Sequence, residues 1–247
     1  MNTAPLSDNC RQSFELRTHV CFGISPFNSY FSEERIRALA LWGKKQFGAM
    51  HFFVPDVPSS YTLEALGHSP EKAAWKARRQ CQYLHNKIHR ALNDAGIPDA
   101  EACKMVLNWE TLSINERFNI LYDEVQKRFS DDANFQSQCI EASRWVLERR
   151  VPEGQSLTQE MLKSAVRYLL TEIPLFLDTA GIVSQEASVF CYHQRVQFLD
   201  DLFKRKLPIQ PSIGQGFVIV EPDDLQIPLI QPAPSQSIEA YRAPLAP

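Results

Sequence analysis

The 247-residue chain is short of glycine, with nine, and contains neither G-x-G-x-x-G nor G-x-x-x-x-G-K-[ST]. A phosphate-cradling loop of either common type is therefore not expected. Its six cysteines (Cys10, Cys21, Cys81, Cys103, Cys139, Cys191) are scattered, with no C-x-x-C pair. Such spacing argues against a zinc knuckle and against a disulfide scaffold, and suits reduced thiols in a cytosol. No apolar run approaches the roughly 20 residues that a membrane-spanning helix needs. The start, Met1-Asn2-Thr3-Ala4-Pro5, has neither the basic n-region nor the apolar h-region of a secretory signal, so a cytoplasmic protein without membrane contact is expected. Internal repeats are lacking too. What is present is ordinary: 44% hydrophobic and 22% charged residues, enough to bury a full core in one large domain or two small ones.

A more telling absence lies between Lys72 and Arg90, where there is no acid. Six cations fall there (Lys72, Lys76, Arg78, Arg79, Lys87, Arg90), against a net charge of −3 for the whole chain, so the remainder carries −9. A basic element sits on an acidic body. Ser69-Pro70-Glu71 supplies a cap, a first-position proline and a first-turn acid, which predicts a helix running to Asn93 and ended by Gly96. Ala74, Cys81, Leu84, Ile88 and Leu92 form its expected apolar stripe, with most of the cations on other faces. A solvated helix face usually mixes both signs. A one-signed face points to a polyanion, and a helix of about 20 residues spans about 30 Å, enough to follow several phosphates. His85 and His89 have an i, i+4 spacing that can hold zinc. No glutamate follows His85 and no third ligand is near, so two histidines adding to the basic face is the better reading.

The rest of the chain reads as α/β. Thr18–Ser25 is a short buried strand, broken at Ser25-Pro26. Ser32 caps a helix running to about Phe47, and Met50–Val54 is a second strand. This β–α–β order predicts a mainly parallel sheet flanked by helices. A short strand at Met105–Asn108 follows, then helices over about 115–130, 134–149 and 157–171. Ser188–Tyr192 and Gly216–Val220 are further strands, with a short helix over about 195–203 between them. Residues 1–16 read as a loose, flexible N-terminal arm. From Pro222 the chain has six prolines in its last 26 residues, and residues 223–247 read as a disordered Pro-rich tail.

Three features carry candidate chemistry. Ser25 ends the first strand, on the edge where ligands bind in open α/β sheets. Strand alternation puts Cys21, Gly23 and Ser25 on one face, and Gly23 leaves room beside the serine for a substrate side chain. The segment falls short of the G-x-S-x-G elbow because Phe27 stands in place of the second glycine. Tyr168 and Glu172 share a helix face at i, i+4. A glutamate among Leu169, Leu170, Leu175 and Phe176 needs a cation, and a substrate ammonium would serve; an ordinary surface Tyr–Glu pair is the plainer alternative. Tyr192-His193 ends another strand, and histidine is a default acid–base candidate.

Together these pieces resemble the cyclodipeptide synthases over about residues 17–222, as a single catalytic domain. The matching stretches are His19-Val20-Cys21-Phe22-Gly23-Ile24-Ser25, then Pro26-Phe27-Asn28-Ser29-Tyr30-Phe31-Ser32, then Tyr168-x-x-x-Glu172 with Pro174-Leu175-Phe176, then Cys191-Tyr192-His193. Asn28, Tyr192 and His193 match the family's Asn-Tyr-His branch. The resemblance implies a Rossmann-like domain similar to the catalytic domain of class I tyrosyl- and tryptophanyl-tRNA synthetases. The adenylation signatures HIGH and KMSKS are absent, so amino-acid activation is not expected. Two aminoacyl-tRNAs would instead be converted into a cyclic dipeptide, a 2,5-diketopiperazine, by a ping-pong route. Ser25 would be the nucleophile, Tyr168 and Glu172 would hold the aminoacyl ammonium, Tyr192 would assist cyclisation, and Asn28 and His193 would orient the site.

The same resemblance places a tRNA-binding helix at the basic segment, with Lys76, Arg78, Arg79, Lys87 and Arg90 as its contacts. Cys21, Gly23, Trp109, Leu175 and Phe190 would line an apolar pocket for a hydrophobic first amino acid, such as leucine, phenylalanine or methionine. No cofactor and no metal are implied, because the tRNA ester is already activated; DNA is not an expected partner, and a monomer is the default. Two other readings stay open on the sequence. One is an α/β serine hydrolase using Ser25, His193 and an acid. The other is a tRNA-binding module without catalysis, which leaves the Ser25, Tyr168/Glu172 and Tyr192 constellation without a purpose.

Overall fold

The structure is a computed structural model and describes residues 1–152 and 154–221. The strands are β1 (Asn2–Pro5), β2 (His19–Gly23), β3 (Ala49–Phe53), β4 (Val106–Leu107), β5 (Ser188–Tyr192) and β6 (Gln215–Glu221). The helices are α1 (Asp8–Glu15), α2 (Glu33–Gln46), α3 (Pro58–Ala65), α4 (Pro70–Asp94), α5 (Asp99–Ala102), α6 (Trp109–Leu112), α7 (Glu116–Asp131), α8 (Ala133–Leu147), α9 (Gln159–Ile182) and α10 (Gln197–Phe203). The sheet order is β1-β6-β5-β2-β3-β4. Every neighbouring pair is parallel except β1 with β6. The α/β reading with a mainly parallel sheet flanked by helices is thus observed.

From β2 the chain winds one way to β3 and β4, then returns to the other side of β2 to lay down β5 and β6. The winding direction reverses between β2 and β5, and the crevice beyond the carboxyl ends of those strands is the place where open α/β sheets bind ligands. Side-chain alternation splits each strand between two cores. Val20 and Phe22 of β2 join Val189, Cys191 and Val218 against α2 and α4. Cys21, Phe190 and Phe217 face the other way, against α7, α8, α9 and α10. On that second face Phe190 stacks on Phe217 at 5.8 Å and meets Phe176 edge-on at 5.0 Å, geometries that add to area burial.

Residues 1–16 are not a loose arm. Asn2–Pro5 pair antiparallel with β6, from Asn2 opposite Glu221 to Pro5 opposite Val218. Ser7 caps α1, its hydroxyl accepting the Cys10 N–H at 3.3 Å, and Cys10, Ser13 and Phe14 are buried. The 223–247 segment lies outside the described residues.

The helix expected over 157–171 runs on to Ile182. Pro174 removes one backbone donor within it, and the helical dihedrals fail at Asp178 (φ −161°, ψ 60°). Asp178 then acts as a cap for the last turn: its carboxylate accepts from Gly181 N–H at 3.0 Å and Ser212 Oγ at 2.9 Å, and pairs with Arg117 at 2.7 Å. This break lets one continuous element carry Tyr168 and Glu172 and still pack its end under the sheet.

Candidate active site

Ser25 lies just past β2, where Ile24 N–H still bonds to the Phe53 carbonyl at 2.9 Å. The chain then turns through Pro26, and Phe27 takes a left-handed backbone conformation with φ +59°. That region is strained for a bulky residue. Phe27 stands where a nucleophile elbow has its second glycine, and here the left-handed residue is Phe27 and not the serine. Tyr192, the last residue of β5, brings its hydroxyl to 2.9 Å from Ser25 Oγ. The hydrogen bond spans the crevice where the winding reverses.

Asn28 is held by its own turn: its Oδ1 accepts the Tyr30 N–H at 3.0 Å. This orients its Nδ2 as donor toward His193 Nε2, 3.0 Å away. His193 Nε2 is therefore the unprotonated nitrogen of a neutral ring. Burial, then the Arg35 charge, push His193 down to about 4, which keeps the ring neutral near pH 7. Tyr30 stacks on His193 at 3.8 Å, and Phe31 meets it edge-on at 5.4 Å. His193 thus bonds to Asn28, and Ser25 bonds to Tyr192. The Ser25–His193 relay that a serine hydrolase would need is not the arrangement present.

Tyr168 and Glu172 project from α9 into a cavity of about 210 Å³ that also opens to Gly23, Ser25, Asn28, Phe190 and Tyr192. Burial raises Glu172 to about 8, outweighing the lowering effect of its hydrogen bond with Tyr168. Desolvation, with Glu172 next, holds the Tyr168 hydroxyl well above its ordinary value. Burial also raises Tyr192, against the lowering effect of its bond to Ser25. Near pH 7 the three groups are neutral. These groups give the chamber a neutral hydroxyl pair at one wall and a neutral carboxyl group at another, and an incoming cation would find Glu172 ready to ionise.

Of the five expected pocket residues, Gly23 and Phe190 line the cavity; Cys21, Trp109 and Leu175 do not. Cys21 and Leu175 are wholly enclosed in the core. Trp109 is turned away: its ring packs edge-on against Phe118 and Tyr122, both at 6.2 Å, while its backbone N–H donates to Asp56 Oδ1 at 2.8 Å. The space beside Gly23 is filled by Phe190, whose ring carbons would lie 2.6 and 2.8 Å from an added Cβ. The glycine makes way for a ring of the neighbouring strand and still lines the cavity.

Sequence reasoning missed the outer wall. Trp145, Arg149 and Arg150, at and just past the end of α8, line the cavity, as do Phe198 and Leu199 of α10 and Ser59 and Thr62 of α3. Arg149 lies over the Trp145 ring at 3.7 Å. The aromatic and basic run Arg144-Trp145…Arg149-Arg150 was the signal available.

On α4 the cations divide. Lys87 donates to the Phe31 carbonyl at 3.2 Å, Arg90 pairs with Glu33 at 2.7 Å, and Lys76 bonds to His68 at 3.3 Å. Among the described residues, Lys72, Arg78 and Arg79 have no acidic partner. Ala73 and Ala77 take the buried positions expected of Ala74, which is exposed. His85 is partly buried, and desolvation lowers its pKa, so it does not add charge to the basic face. Among the described residues no group of three or more His, Cys, Asp or Glu side chains could hold a metal ion, and no helix is long and apolar enough to cross a membrane.

Comparison with known proteins agrees with this architecture. A family model described as cyclodipeptide synthase matches residues 1–222. A cyclo(L-tyrosyl-L-tyrosyl) synthase of Mycobacterium tuberculosis is 32% identical over 219 residues, covering 89% of this chain and 75% of the relative. A cyclo(L-leucyl-L-leucyl) synthase of Bacillus subtilis is 32% identical over 222 residues, covering 87% of each. A solved Mycobacterium tuberculosis structure, described as showing that such synthetases are related to type I tRNA synthetases, superposes with a TM-score of 0.79 at 30% identity, covering 90% of this chain and 93% of its own.

Proposed function

This chain belongs to the cyclodipeptide synthase family, enzymes that form cyclic dipeptides, and from that premise we propose that it draws both amino acids from aminoacyl-tRNAs and works through a serine ester. The observation that carries the proposal is the 2.9 Å contact between Ser25 Oγ and Tyr192 OH in the chamber shared with Glu172. Asn28, Tyr192 and His193 support a reading of the chain as one of the Asn-Tyr-His branch.

In the first step Ser25 Oγ attacks the ester carbonyl of one aminoacyl-tRNA. A Ser25 ester forms, the bond from that carbonyl to the ribose oxygen breaks, and the ribose oxygen leaves with a proton. Covalent capture holds the first residue while the tRNA departs. The ammonium of the captured residue sits against Tyr168 and Glu172. Glu172, raised to about 8, is matched to an α-ammonium with its ordinary value near 8. It first pairs with the ammonium and then takes its proton at little cost, which frees the amine.

That amine attacks the ester carbonyl of the second aminoacyl-tRNA, forming a peptide bond and releasing the second tRNA. The new terminal amine then attacks the Ser25 ester carbonyl. The ring closes, the Oγ–carbon bond breaks, and the serine hydroxyl is restored. Tyr192, protonated and hydrogen-bonded to Oγ, is the group placed to exchange the proton at that oxygen. Asn28 and His193 hold the loop and the end of β5 in register. Arg78, Arg79 and the other α4 cations meet the tRNA backbone. The apolar wall supports hydrophobic amino acids as substrates.

The test is mass spectrometry of medium from bacteria expressing the chain or its Ser25→Ala variant. Cyclic dipeptides of hydrophobic residues are expected only with the intact serine. The same products from Ser25→Ala would overturn the covalent route.

A further inference from the structure

Trp75 and Tyr83 are 56% and 50% exposed on α4, on the side opposite the buried Ala73, Ala77, Cys81 and Leu84. Arg79 lies between them in the helical i, i+4, i+8 row. Its guanidinium carbon is 5.4 Å from the Trp75 ring centre and 5.8 Å from that of Tyr83, and its Nε donates to the Tyr83 hydroxyl at 3.3 Å. The three side chains form one aromatic–cation–aromatic strip. Isolated exposed apolar residues need no explanation, but a strip ordered by its own arginine and flanked by the unpaired Lys72 and Arg78 does.

Its height above the sheet can be read from α4 itself. Lys87 reaches Phe31 and Arg90 reaches Glu33, residues of the loop and helix that follow Ser25. Positions 87–90 therefore mark the level at which α4 passes the carboxyl ends of the strands. At 1.5 Å per residue, Tyr83 stands about 6 Å and Trp75 about 18 Å beyond that level. The strip overhangs the edge that carries Ser25. On its opposite face α4 packs through Ala73 and Ala77 on Leu63 of α3, the helix whose Ser59 and Thr62 line the cavity.

We propose that Trp75, Arg79 and Tyr83 form a stacking platform for an unpaired nucleotide of the substrate tRNA, with Lys72 and Arg78 holding the phosphates on either side. The inference rests on the tRNA reading of α4 and adds a base-contacting function to a helix otherwise assigned to the backbone. Every base offers a π-face to an aromatic ring or a guanidinium plane, and a duplex keeps those faces stacked inside itself. The platform therefore selects unpaired over paired RNA without reading sequence. The absence of any acid from residue 72 to 90 gives it the charge that an RNA strand requires.

The experiment measures binding of uncharged tRNA across a salt series for the wild-type chain, Trp75→Ala, Trp75→Phe and Arg78→Ala. Trp75→Ala is expected to weaken binding about 5- to 100-fold with an unchanged salt slope, the range for loss of one base–aromatic stack. Trp75→Phe should restore most of that loss. Emission that disappears in Trp75→Phe should be quenched by tRNA and not by a blunt RNA duplex. Unaltered affinity in Trp75→Ala, with weakened binding and a shallower slope in Arg78→Ala, would overturn the platform and leave the backbone contact standing. Full affinity in both variants would overturn the tRNA reading of α4 and the platform with it.

Discussion

Glu172 gives the sharpest physical prediction. Its carboxyl group keeps its proton up to about pH 8 in the folded chain, against an ordinary value of 4.5. Between those values the folded state holds a proton that the unfolded state has released. The folded state binds more protons, so stability falls as pH rises through the window and levels off above it. At about 1.4 kcal/mol per pH unit, the penalty is about 2 kcal/mol at pH 6 and about 4 kcal/mol at pH 8, where the folded group is half-ionised. Glu172→Gln keeps the side chain's shape and an acceptor for the Tyr168 hydroxyl, and has no proton to lose. Urea unfolding of both proteins at pH 5, 6, 7 and 8 isolates this group, because every other titration is common to both. The variant should gain on the wild type steadily from pH 5 to pH 8. A stability difference that stays constant across the series would refute the buried, neutral carboxyl. The stabilised variant should also lose cyclic dipeptide production, because an amide cannot pair with an ammonium or accept its proton.

Two further substitutions test the geometry around the serine. Tyr192→Phe removes one hydroxyl at 2.9 Å from Ser25; it should cost about 1 kcal/mol of stability and lower turnover about 10²- to 10⁴-fold, and turnover within threefold of wild type would exclude a proton-transfer role. Gly23→Ala sets a methyl group 2.6 Å from a Phe190 ring atom, and that ring is wedged by Phe176 and Phe217, so a loss of about 1–3 kcal/mol is expected. Pairing it with Phe190→Leu should recover most of the loss in a thermal melt. No recovery would mean that the strain lies elsewhere.

What the chain reveals to a reader depends on how local each cause is. The alternation in β2, with Val20 and Phe22 on one face and Cys21 and Gly23 on the other, is visible in five residues. So is the Ser69-Pro70 start of α4, where Ser69 Oγ does accept the Lys72 N–H. Ser25, Tyr192 and His193 stand out because each sits beside a strand end, and strand ends are marked by local composition; Asn28 is singled out by the family resemblance alone. The arm was misread because β1 has only four residues and its partner, β6, lies at the far end of the described chain. Nothing near Asn2 announces that pairing. The passage of α9 through Pro174 was hidden for a similar reason: a distant Arg117 and Ser212 hold the break at Asp178. α3 was unseen because Pro58, Ser59 and Ser60 are turn-forming by type yet buried here. Pocket assignments failed where they needed side-chain direction. The Trp109 ring packs against Phe118 and Tyr122, and a ring of the neighbouring strand takes room beside Gly23.

The central claim is a covalent aminoacyl ester on Ser25, and intact-protein mass spectrometry tests it most directly. The purified chain would be mixed with a single aminoacyl-tRNA bearing a hydrophobic amino acid, quenched in acid within seconds, and digested to locate any added mass. The account predicts a shift equal to one aminoacyl group, on the peptide containing Ser25, that is absent from Ser25→Ala. Cyclic dipeptide formed without any such adduct, or an adduct that persists in Ser25→Ala, would contradict it.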